Sequence, residues 1–336
     1  MTGTAADPGR RGDGRRVRAT REPIVDADVH VYLASDDALD PYLPAVWREH
    51  RRTFGDRRPA AQEYPRFHPD AARTDAYPPS GVRPGADLRF LRSQLLDQWE
   101  VEHAILNPLL GAGAELNHGY GAALARAIND WQLAEWVEPE PRLHASVVVA
   151  WDDAERAVAE IERVGDHPGF VQVLVLARTL EPLGRPRYWP IYDAAVRHGL
   201  PVAMHFTGYG AGPLTGAGYP SFYIEERTDA PGGFQEQLTS LVCEGVFERL
   251  PELRFVLVEG GFAWLPALMW RLDRAWSRLR SEVPHLSRAP SDVIREHVYV
   301  TTQPVEEPPD PHQLLELLRN LDMDERLLFA TDYPHC

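Results

Sequence analysis

The sequence predicts a TIM (β/α)8 barrel, an α/β fold in which eight parallel strands alternate with covering helices. Apolar runs of strand length recur along the 336 residues, and amphipathic stretches separate nearly all of them. The runs are apolar on both faces, as strands of a helix-covered parallel sheet must be, and the alternation itself predicts a parallel sheet. Eight such units in this length is the count of a TIM barrel. An open doubly wound sheet is the alternative, but no GxGxxG follows the first run to support a dinucleotide-binding version.

The elements can be placed in order from these patterns. Strands are predicted at 23–31 (PIVDADVHV), 103–108, 143–150, 169–177, 200–206, 253–261, 297–302 and 326–332. Helices are predicted where apolar residues recur with helical spacing, at 87–100, 119–137, 152–164, 189–199, 234–249, 263–280 and 311–320. A Gly- and Pro-rich loop over 207–233 separates the fifth strand from its helix.

The chain is interpreted as one domain preceded by a short leader. Residues 1–22 carry arginines but no apolar segment, which predicts a disordered leader and not a secretory signal. Residues 23–336 form the barrel domain, in which the Pro- and Arg-rich stretch 51–86 is predicted to be an insertion or lid. Little chain follows Asp332, so the barrel is predicted to lack its final covering helix. We therefore expect a truncated chain, or a last strand covered by the insertion or by a partner subunit.

Composition and charge narrow the class of protein. The formal net charge of −15 argues against nucleic acid or an anionic membrane as the main partner. No apolar run reaches the ~18 residues that a membrane span needs. Cys243 and Cys336 make no disulfide framework, which predicts free thiols and a cytoplasmic protein. The sequence contains no lysine, which excludes a Schiff-base lysine, a P-loop lysine and a carboxylated lysine that bridges two metal ions.

Candidate metal ligands stand at the carboxyl ends of the predicted strands, where the active site of a TIM barrel lies. Asp28 and His30 are two residues apart, so both face the same side of the first strand while Val29 faces the helices. His205 ends the fifth strand and Asp332 ends the eighth. Taken alone, each residue is more simply explained as a cap, a turn residue or a core histidine. Their occurrence together at three strand ends of one barrel favours a metal site. Such a nitrogen and oxygen set suits one Zn²⁺, Mn²⁺ or Fe²⁺ ion, with Zn²⁺ preferred.

Other residues near the same mouth are candidates for catalysis or substrate binding. Glu259 ends the sixth strand, where apolar surroundings raise the pKa of a carboxyl group and suit it to general acid or base catalysis. The alternative for Glu259 is a salt bridge with an arginine of the mouth. Arg178, after the fourth strand, is a candidate for holding a substrate carboxylate, unless it is a solvated loop residue. His118 and His335 are predicted to contact substrate.

Four segments resemble the amidohydrolase-related superfamily. They are IVDADVHV, GLPVAMHFTG, PELRFVLVEGGFAWLP and RLLFATDYPH, in that order, and the resemblance runs from about residue 23 to the end. The chain is most similar to the branch of aminocarboxymuconate-semialdehyde decarboxylase and the aromatic-acid decarboxylases, which the segment 169–205 also resembles.

The resemblance implies a TIM barrel with one catalytic divalent metal ion. Asp28 and His30 would fill the first ligand pair, which is usually His-x-His or Glu-x-His in that family. His205 would be the ligand of strand 5, and Asp332 would bind the metal and handle a proton. Family members often keep a histidine at the end of strand 6, where this chain has Glu259. The absence of lysine agrees with the one-metal branch.

These features predict an enzyme that acts on a small carboxylated molecule, cyclic or aromatic. Two reactions remain open: hydrolysis of an ester, lactone or amide with Asp332 shuttling the proton, and non-oxidative decarboxylation with a protein acid protonating the ring carbon. The alternative is a catalytically impaired barrel that serves as a binding or scaffold protein. Trp264, Trp270 and Trp276 could line the face of a homodimer, although core packing also explains such residues on one helix.

Overall fold

The computed structural model describes three ranges of the chain, residues 22–55, 71–206 and 215–335. The predicted leader, up to residue 21, lies outside these ranges, as does the middle of the predicted insertion, 56–70. Across the described ranges, no helix combines the length and the apolar character that crossing a membrane requires.

Eight parallel strands form one sheet in the described part of the chain, in sequential order from β1 to β8. They are β1 (Ile24–Val29), β2 (Val101–Leu106), β3 (Leu143–Val148), β4 (Phe170–Leu176), β5 (Val202–His205), β6 (Phe255–Val258), β7 (Val298–Thr301) and β8 (Leu327–Leu328). Backbone hydrogen bonds link β1, and His30 directly after it, to residues that follow β8: Ala27 N donates to Phe329 O at 2.9 Å and His30 N to Tyr333 O at 2.7 Å. The sheet therefore curls into a nearly closed barrel, and the predicted TIM fold is confirmed.

Helices connect the strands and surround the barrel. The described ranges contain α1 (Ala45–Phe54), α2 (Leu88–Leu91), α3 (His118–Gln132), α4 (Ala154–Val164), α5 (Trp189–Arg197), α6 (Tyr223–Cys243), α7 (Val246–Arg249), α8 (Leu265–Leu279), α9 (Pro290–His297) and α10 (Pro311–Leu321). Side chains fix several helix starts, because Asp87, Asn117, Asp153 and Asp310 each accept a hydrogen bond from a backbone N–H of the first turn.

The prediction made from the sequence missed α1, and it also differs from the structure at α6 and α9. α6 begins at Tyr223 and runs through Pro231, where a loop was predicted up to residue 233. Its start is stabilised by the Glu225 carboxylate, which accepts hydrogen bonds from the backbone N–H groups of Ser221 and Phe222 at 2.8 and 2.7 Å. The Pro and Gly residues of this stretch predicted a loop, whereas the cap stabilises a helix through part of it. α9, a short helix that buries Val293 and Ile294 before β7, was not predicted.

The two faces of the strands carry different residues. On β5, Val202 and Met204 belong to the core between the strands and the helices, whereas Ala203 packs with Val256 and Val258 in a separate cluster inside the barrel. His205 follows the alternation of Ala203, so it points into the barrel. The inward face therefore changes from apolar to polar at the carboxyl ends of the strands, which is where the candidate site lies.

Asp26 holds the seam between the first and last strands. Its carboxylate accepts hydrogen bonds from Thr331 N at 3.0 Å, from Thr331 Oγ1 at 2.6 Å and from Asp28 N at 3.2 Å. Burial raises the pKa of Asp26 to about 6, although these hydrogen bonds act in the opposite direction. These hydrogen bonds of Asp26 hold Asp28 and the segment after β8 side by side.

The tryptophans considered for a dimer face lie on α8 and the turn before it. Trp264 and Trp276 pack against the main core, whereas Trp270 is 57% exposed. Core packing therefore accounts for two of the three, and the homodimer stays a prediction.

Candidate metal centre at the mouth of the barrel

Four residues from three separate parts of the chain converge in the barrel mouth, and all are buried: Asp28, His30, His205 and Asp332. His30 Nε2 lies 3.3 Å from Asp28 Oδ1 and 3.0 Å from Asp332 Oδ1. His205 Nε2 lies 3.6 Å from Asp28 Oδ2. The potential ligand atoms of Asp28, His30 and His205 all lie within 4.8 Å of one another, as do those of His30, Asp332 and His335.

The donor atoms of this cluster fit a divalent cation. Ligands that bind one ion at about 2.0–2.2 Å are themselves separated by about 3–3.5 Å in tetrahedral or octahedral geometry. The observed separations of 3.0, 3.3 and 3.6 Å fall in or close to that range. Within the described ranges, Asp28 Oδ2 and His30 Nε2 have no hydrogen-bond partner although they are fully buried. Because a buried polar atom without a partner is costly, an ion that accepts both lone pairs explains their arrangement.

Asn107, at the end of β2, orients two of these residues. Its backbone carbonyl lies 2.8 Å from His30 Nδ1, which places the proton on Nδ1 and leaves Nε2 able to bind a metal. Its side-chain Nδ2 donates to Asp28 Oδ1 at 2.9 Å, and its Oδ1 accepts from Ser146 Oγ and Gln172 Nε2, both at 2.9 Å. Asn107 was not among the predicted site residues; the available signal was one polar residue at the end of the apolar run of strand 2.

The charges of the cluster shift its pKa values. Burial opposes the ionised form of Asp28, but the positive charges of His30 and His205 outweigh it and bring the pKa of Asp28 well below its usual range. Burial lowers the pKa of His30, but Asp28 and Asp332 raise it well above its usual value. The pKa of Asp332 is likewise lowered: burial raises it, but hydrogen bonds with His30 and His335 prevail. Carboxylates that remain ionised in a buried site are suited to bind a cation.

Glu259 lies beside the cluster, directly after β6. Its Oε2 is 3.3 Å from His205 Nε2, and its Oε1 is 3.4 Å from Arg227 Nη1 on α6. Burial and the charge of Asp332 raise its pKa to about 7, although His205 acts in the opposite direction. Arg227 was not among the predicted site residues, because this part of α6 was predicted to be a loop.

Two carboxylates of the site have a left-handed backbone. The φ angles of Glu259 and Asp332 are +61° and +58°, a conformation that non-glycine residues rarely adopt. The backbone is held there by hydrogen bonds from Glu259 N to Thr301 Oγ1 at 3.0 Å and from Asp332 N to Asp28 O at 3.1 Å. Glu259 lies directly after β6, whereas β8 is shorter than predicted and Asp332 lies in the segment that follows it. Both side chains are thereby directed into the mouth, at the cost of about 1–3 kcal/mol each.

The three residues predicted to bind substrate have different surroundings. His335 is stacked on His30, with ring centroids 4.4 Å apart, and belongs to the cluster. Arg178 follows β4 and is partly buried; burial lowers its pKa while the nearby charge of Glu226 raises it. His118 begins α3, where its half-exposed ring lies 3.6 Å from the Asp153 carboxylate. His335 contacts two candidate metal ligands, His30 and Asp332, directly.

A family model, a curated protein and two solved structures are similar to this chain. The family model described as amidohydrolase matches residues 25–336. The γ-resorcylate decarboxylase of Rhizobium sp. (strain MTP-10005) is 25% identical over 267 residues, which cover 74% of this chain and 77% of that protein. The crystal structure of an amidohydrolase from Mycobacterium avium subsp. paratuberculosis K-10 superposes with a TM-score of 0.69 at 21% identity, covering 93% of this chain and 90% of the other. A dihydroxybenzoic acid decarboxylase from Polaromonas sp. JS666, solved with bound manganese and an inhibitor, gives a TM-score of 0.60 at 22% identity, with coverage of 93% and 86%.

The family match spans nearly all of the barrel, so the chain belongs to the amidohydrolase family. The resemblance inferred from the four motifs is confirmed. The prediction of a metal-dependent hydrolase or carboxy-lyase of this superfamily is confirmed as well, in preference to the scaffold alternative.

Proposed function

We propose that this chain catalyses the non-oxidative decarboxylation of an aromatic carboxylate that bears an oxygen substituent beside the carboxylate. The observation that carries the proposal is the buried convergence of Asp28, His30, His205 and Asp332 in one barrel mouth. Arg178, a second element of the proposal, lies at the end of β4 on the same side of the barrel. Two relatives described above support the choice of reaction, since they are named as decarboxylases of γ-resorcylate and of dihydroxybenzoic acid.

The four convergent residues would hold one divalent ion. A bound ion would polarise the substrate carboxylate and the neighbouring oxygen and stabilise the negative charge that they carry. Two carboxylates and two imidazoles accept Zn²⁺ and Mn²⁺ alike. Zn²⁺ is the ion that the sequence favours, and the manganese bound to the Polaromonas enzyme supports testing Mn²⁺ beside it.

Arg178 is the proposed partner of the substrate carboxylate. A guanidinium presents a planar fork of donors that matches a carboxylate, and partial burial strengthens the interaction because water competes less. His335, beside His30, and His118, beside Asp153, are proposed to contact the rest of the substrate.

Glu259 is the proposed proton donor. Its carboxyl group lies beside His205, and Arg227 contacts its other oxygen, so one oxygen faces the metal cluster while the other is held. In this reaction the proton is transferred to the ring carbon that bears the carboxylate. The bond from that carbon to the carboxylate then breaks, its electron pair restores the aromatic ring, and CO₂ leaves. Asp332 is the second candidate for handling this proton.

The reaction can be tested with metal-free protein reloaded with Mn²⁺ or Zn²⁺. Dihydroxybenzoates are offered in parallel with aryl esters and lactones, and CO₂ release is measured together with the aromatic product. We expect CO₂ release from a hydroxylated benzoate and loss of activity on chelation. Arg178→Gln should raise KM for the acid, while Arg197→Gln, which removes an exposed arginine at the end of α5 paired with Glu162, should not. Hydrolysis of esters or lactones without CO₂ release would refute the decarboxylase assignment.

A further inference from the structure

A chain of short hydrogen bonds leads away from the candidate ligand Asp332. Asp332 Oδ1 lies 2.7 Å from His335 Nδ1, and His335 Nε2 lies 2.7 Å from the Tyr32 hydroxyl. The other carboxylate oxygen, Oδ2, accepts a hydrogen bond from Gln303 Nε2 at 2.9 Å. Both oxygens of Asp332 and both ring nitrogens of His335 are therefore engaged by protein groups.

The direction of the chain follows from its chemistry. An ionised carboxylate can only accept, so His335 must donate from Nδ1 to Asp332. In the neutral imidazole Nε2 then has no proton, and it accepts the hydrogen bond of the Tyr32 hydroxyl. Tyr32 thus selects the tautomer of His335 that donates to Asp332, in the way that outer partners commonly orient metal-binding residues.

Tyr32 is itself held by residues at the end of the predicted insertion. Tyr32 N donates to Gly85 O at 2.8 Å, and the Arg83 guanidinium lies over the tyrosine ring at 4.6 Å from its centroid. Gly85 is closely apposed: a Cβ there would lie 3.0 Å from Tyr32 Cδ2 and 2.8 Å from His30 O. The ring therefore has little freedom, and its hydroxyl is directed at His335.

The position of His335 is also fixed on the backbone. Ala72 forms an antiparallel bridge with His335, and Arg73 N donates to Pro334 O at 3.0 Å. The His335 ring stacks on His30 at 4.4 Å, so its plane is set by a second candidate ligand. The segment around 71–86 and the residues after β8 are thus joined directly at the metal cluster.

We propose that Tyr32 and His335 are positioning residues for the metal centre, which fix the orientation of Asp332 and thereby strengthen the binding of a divalent cation. The proposal deepens the proposed function, because it rests on the same metal centre, but it does not depend on the reaction catalysed. It assigns His335 a role through Asp332 in addition to any contact with substrate. Removing an outer partner of this kind typically weakens metal affinity by about 10- to 100-fold.

Four substitutions separate the two links of the chain. His335→Leu removes both links, and His335→Gln places its amide near the position of Nε2, so it keeps a partner for Tyr32 but loses the donor to Asp332. His335→Asn places an amide N–H near the position of Nδ1, so it keeps the donor to Asp332. Tyr32→Phe removes only the hydroxyl and retains the ring under Arg83. Mn²⁺ affinity is measured by titrating chelator-treated protein and following the electron paramagnetic resonance signal of free Mn²⁺.

We expect His335→Leu and His335→Gln to weaken Mn²⁺ binding by about 10- to 100-fold, and His335→Asn and Tyr32→Phe by clearly less. The controls are Tyr192→Phe, which deletes a buried hydroxyl bonded to Leu183 O at 2.7 Å, and His297→Asn, which alters a buried histidine bonded to Leu253 O at 2.9 Å. Both controls should lower thermal stability and leave the Mn²⁺ affinity unchanged.

The alternative outcomes are distinct. If His335→Leu lowers thermal stability as the controls do but binds Mn²⁺ as tightly as the wild type, the positioning role is refuted while the proposed function stands. If the wild-type chain binds neither Mn²⁺ nor Zn²⁺, the metal-dependent function and the positioning role are both refuted. If Mn²⁺ binding follows the expected series but no CO₂ is released from any benzoate, the positioning role is supported and the reaction is refuted.

Discussion

Asn107 offers the sharpest test of how the barrel prepares the metal centre, because it contacts two candidate ligands without being one. In Asn107→Ala the backbone carbonyl still accepts from His30 Nδ1, but Asp28 Oδ1 loses its donor at 2.9 Å. Ser146 Oγ and Gln172 Nε2 lose a shared acceptor, although each keeps another partner. A hydrogen bond to a charged group contributes about 1.5–3 kcal/mol. We therefore expect the free energy of unfolding of the metal-free protein to fall by about 2–4 kcal/mol.

The same substitution should weaken metal binding. Without the Asn107 amide, the Asp28 carboxylate can rotate away from the arrangement in which its oxygens face His30 and His205. Since one of the two contacts of Asn107 remains, the loss should lie at the lower end of the usual range for an outer partner, about tenfold or about 1.4 kcal/mol. Urea denaturation measures the free energy of unfolding of the metal-free protein, and Mn²⁺ titration of the same samples measures the metal affinity.

Asn129→Ala is the matched control. Asn129 is also fully buried, and its side chain bonds Val148 O at 2.9 Å, Glu160 Oε1 at 2.8 Å and Val148 N at 2.8 Å. It serves the packing of α3 and α4 on β3 and touches none of the candidate ligands named above. We expect a comparable loss of stability with unchanged Mn²⁺ affinity. Equal Mn²⁺ affinities for the wild type and Asn107→Ala would refute the reasoning, because Asn107 would then be a core residue only.

Further substitutions separate metal binding, proton transfer and stability. Glu259→Gln should lower kcat for CO₂ release by about 10²- to 10⁴-fold, as expected for loss of a general acid, with a normal metal content by elemental analysis. Asp332→Asn alters a candidate ligand itself. Its metal affinity should therefore fall further than the loss of about 10- to 100-fold that is typical when a residue supporting a ligand is removed. The metal content after dialysis measures this loss. Burial, followed by the charge of His103 at 2.9 Å, lowers the pKa of His144. The folded protein therefore favours the neutral imidazole of His144. The stability that this neutral form contributes is complete above the unfolded pKa of about 6.5 and is lost as the pH falls through the lower folded pKa. His144→Gln should show a smaller decrease in unfolding free energy between pH 7 and pH 5 than the wild type, and an equal or larger decrease would contradict this.

The fold and the candidate ligands could be predicted because both depend on local pattern. Buried parallel strands need continuous apolar runs, so their ends are visible in the sequence. A TIM barrel then brings residues at those ends to one mouth, whatever the loops between them do. Asp28, His205 and Asp332 could be grouped on this basis although they are far apart in the chain. The i and i+2 spacing of Asp28 and His30 placed both on the inner face for the same reason.

Other parts of the site depend on contacts that no local pattern encodes. Arg227 reaches Glu259 only because α6 starts at Tyr223, and that start depends on Glu225 capping a helix which then continues through Pro231. Asn107 and Tyr32 carry no motif of their own; their roles follow from the neighbours that strand register and the segment around Gly85 bring to them. Positive φ at Glu259 is equally invisible, and an aspartate such as Asp332 signals it only weakly.

The charge balance of the mouth explains how a glutamate can occupy the end of strand 6, where the resemblance predicts a histidine. Asp28 and Asp332 supply two negative charges, which one divalent cation neutralises. Glu259, the proposed proton donor, becomes a third carboxylate once its proton has left, and an aromatic acid would bring a fourth. Two like charges about 4 Å apart repel by about 4 kcal/mol at the effective dielectric constant of 20 that suits protein sites. Arg227, 3.4 Å from Glu259, and Arg178, just after β4, are two positive charges that would offset this repulsion if an anionic substrate binds as proposed.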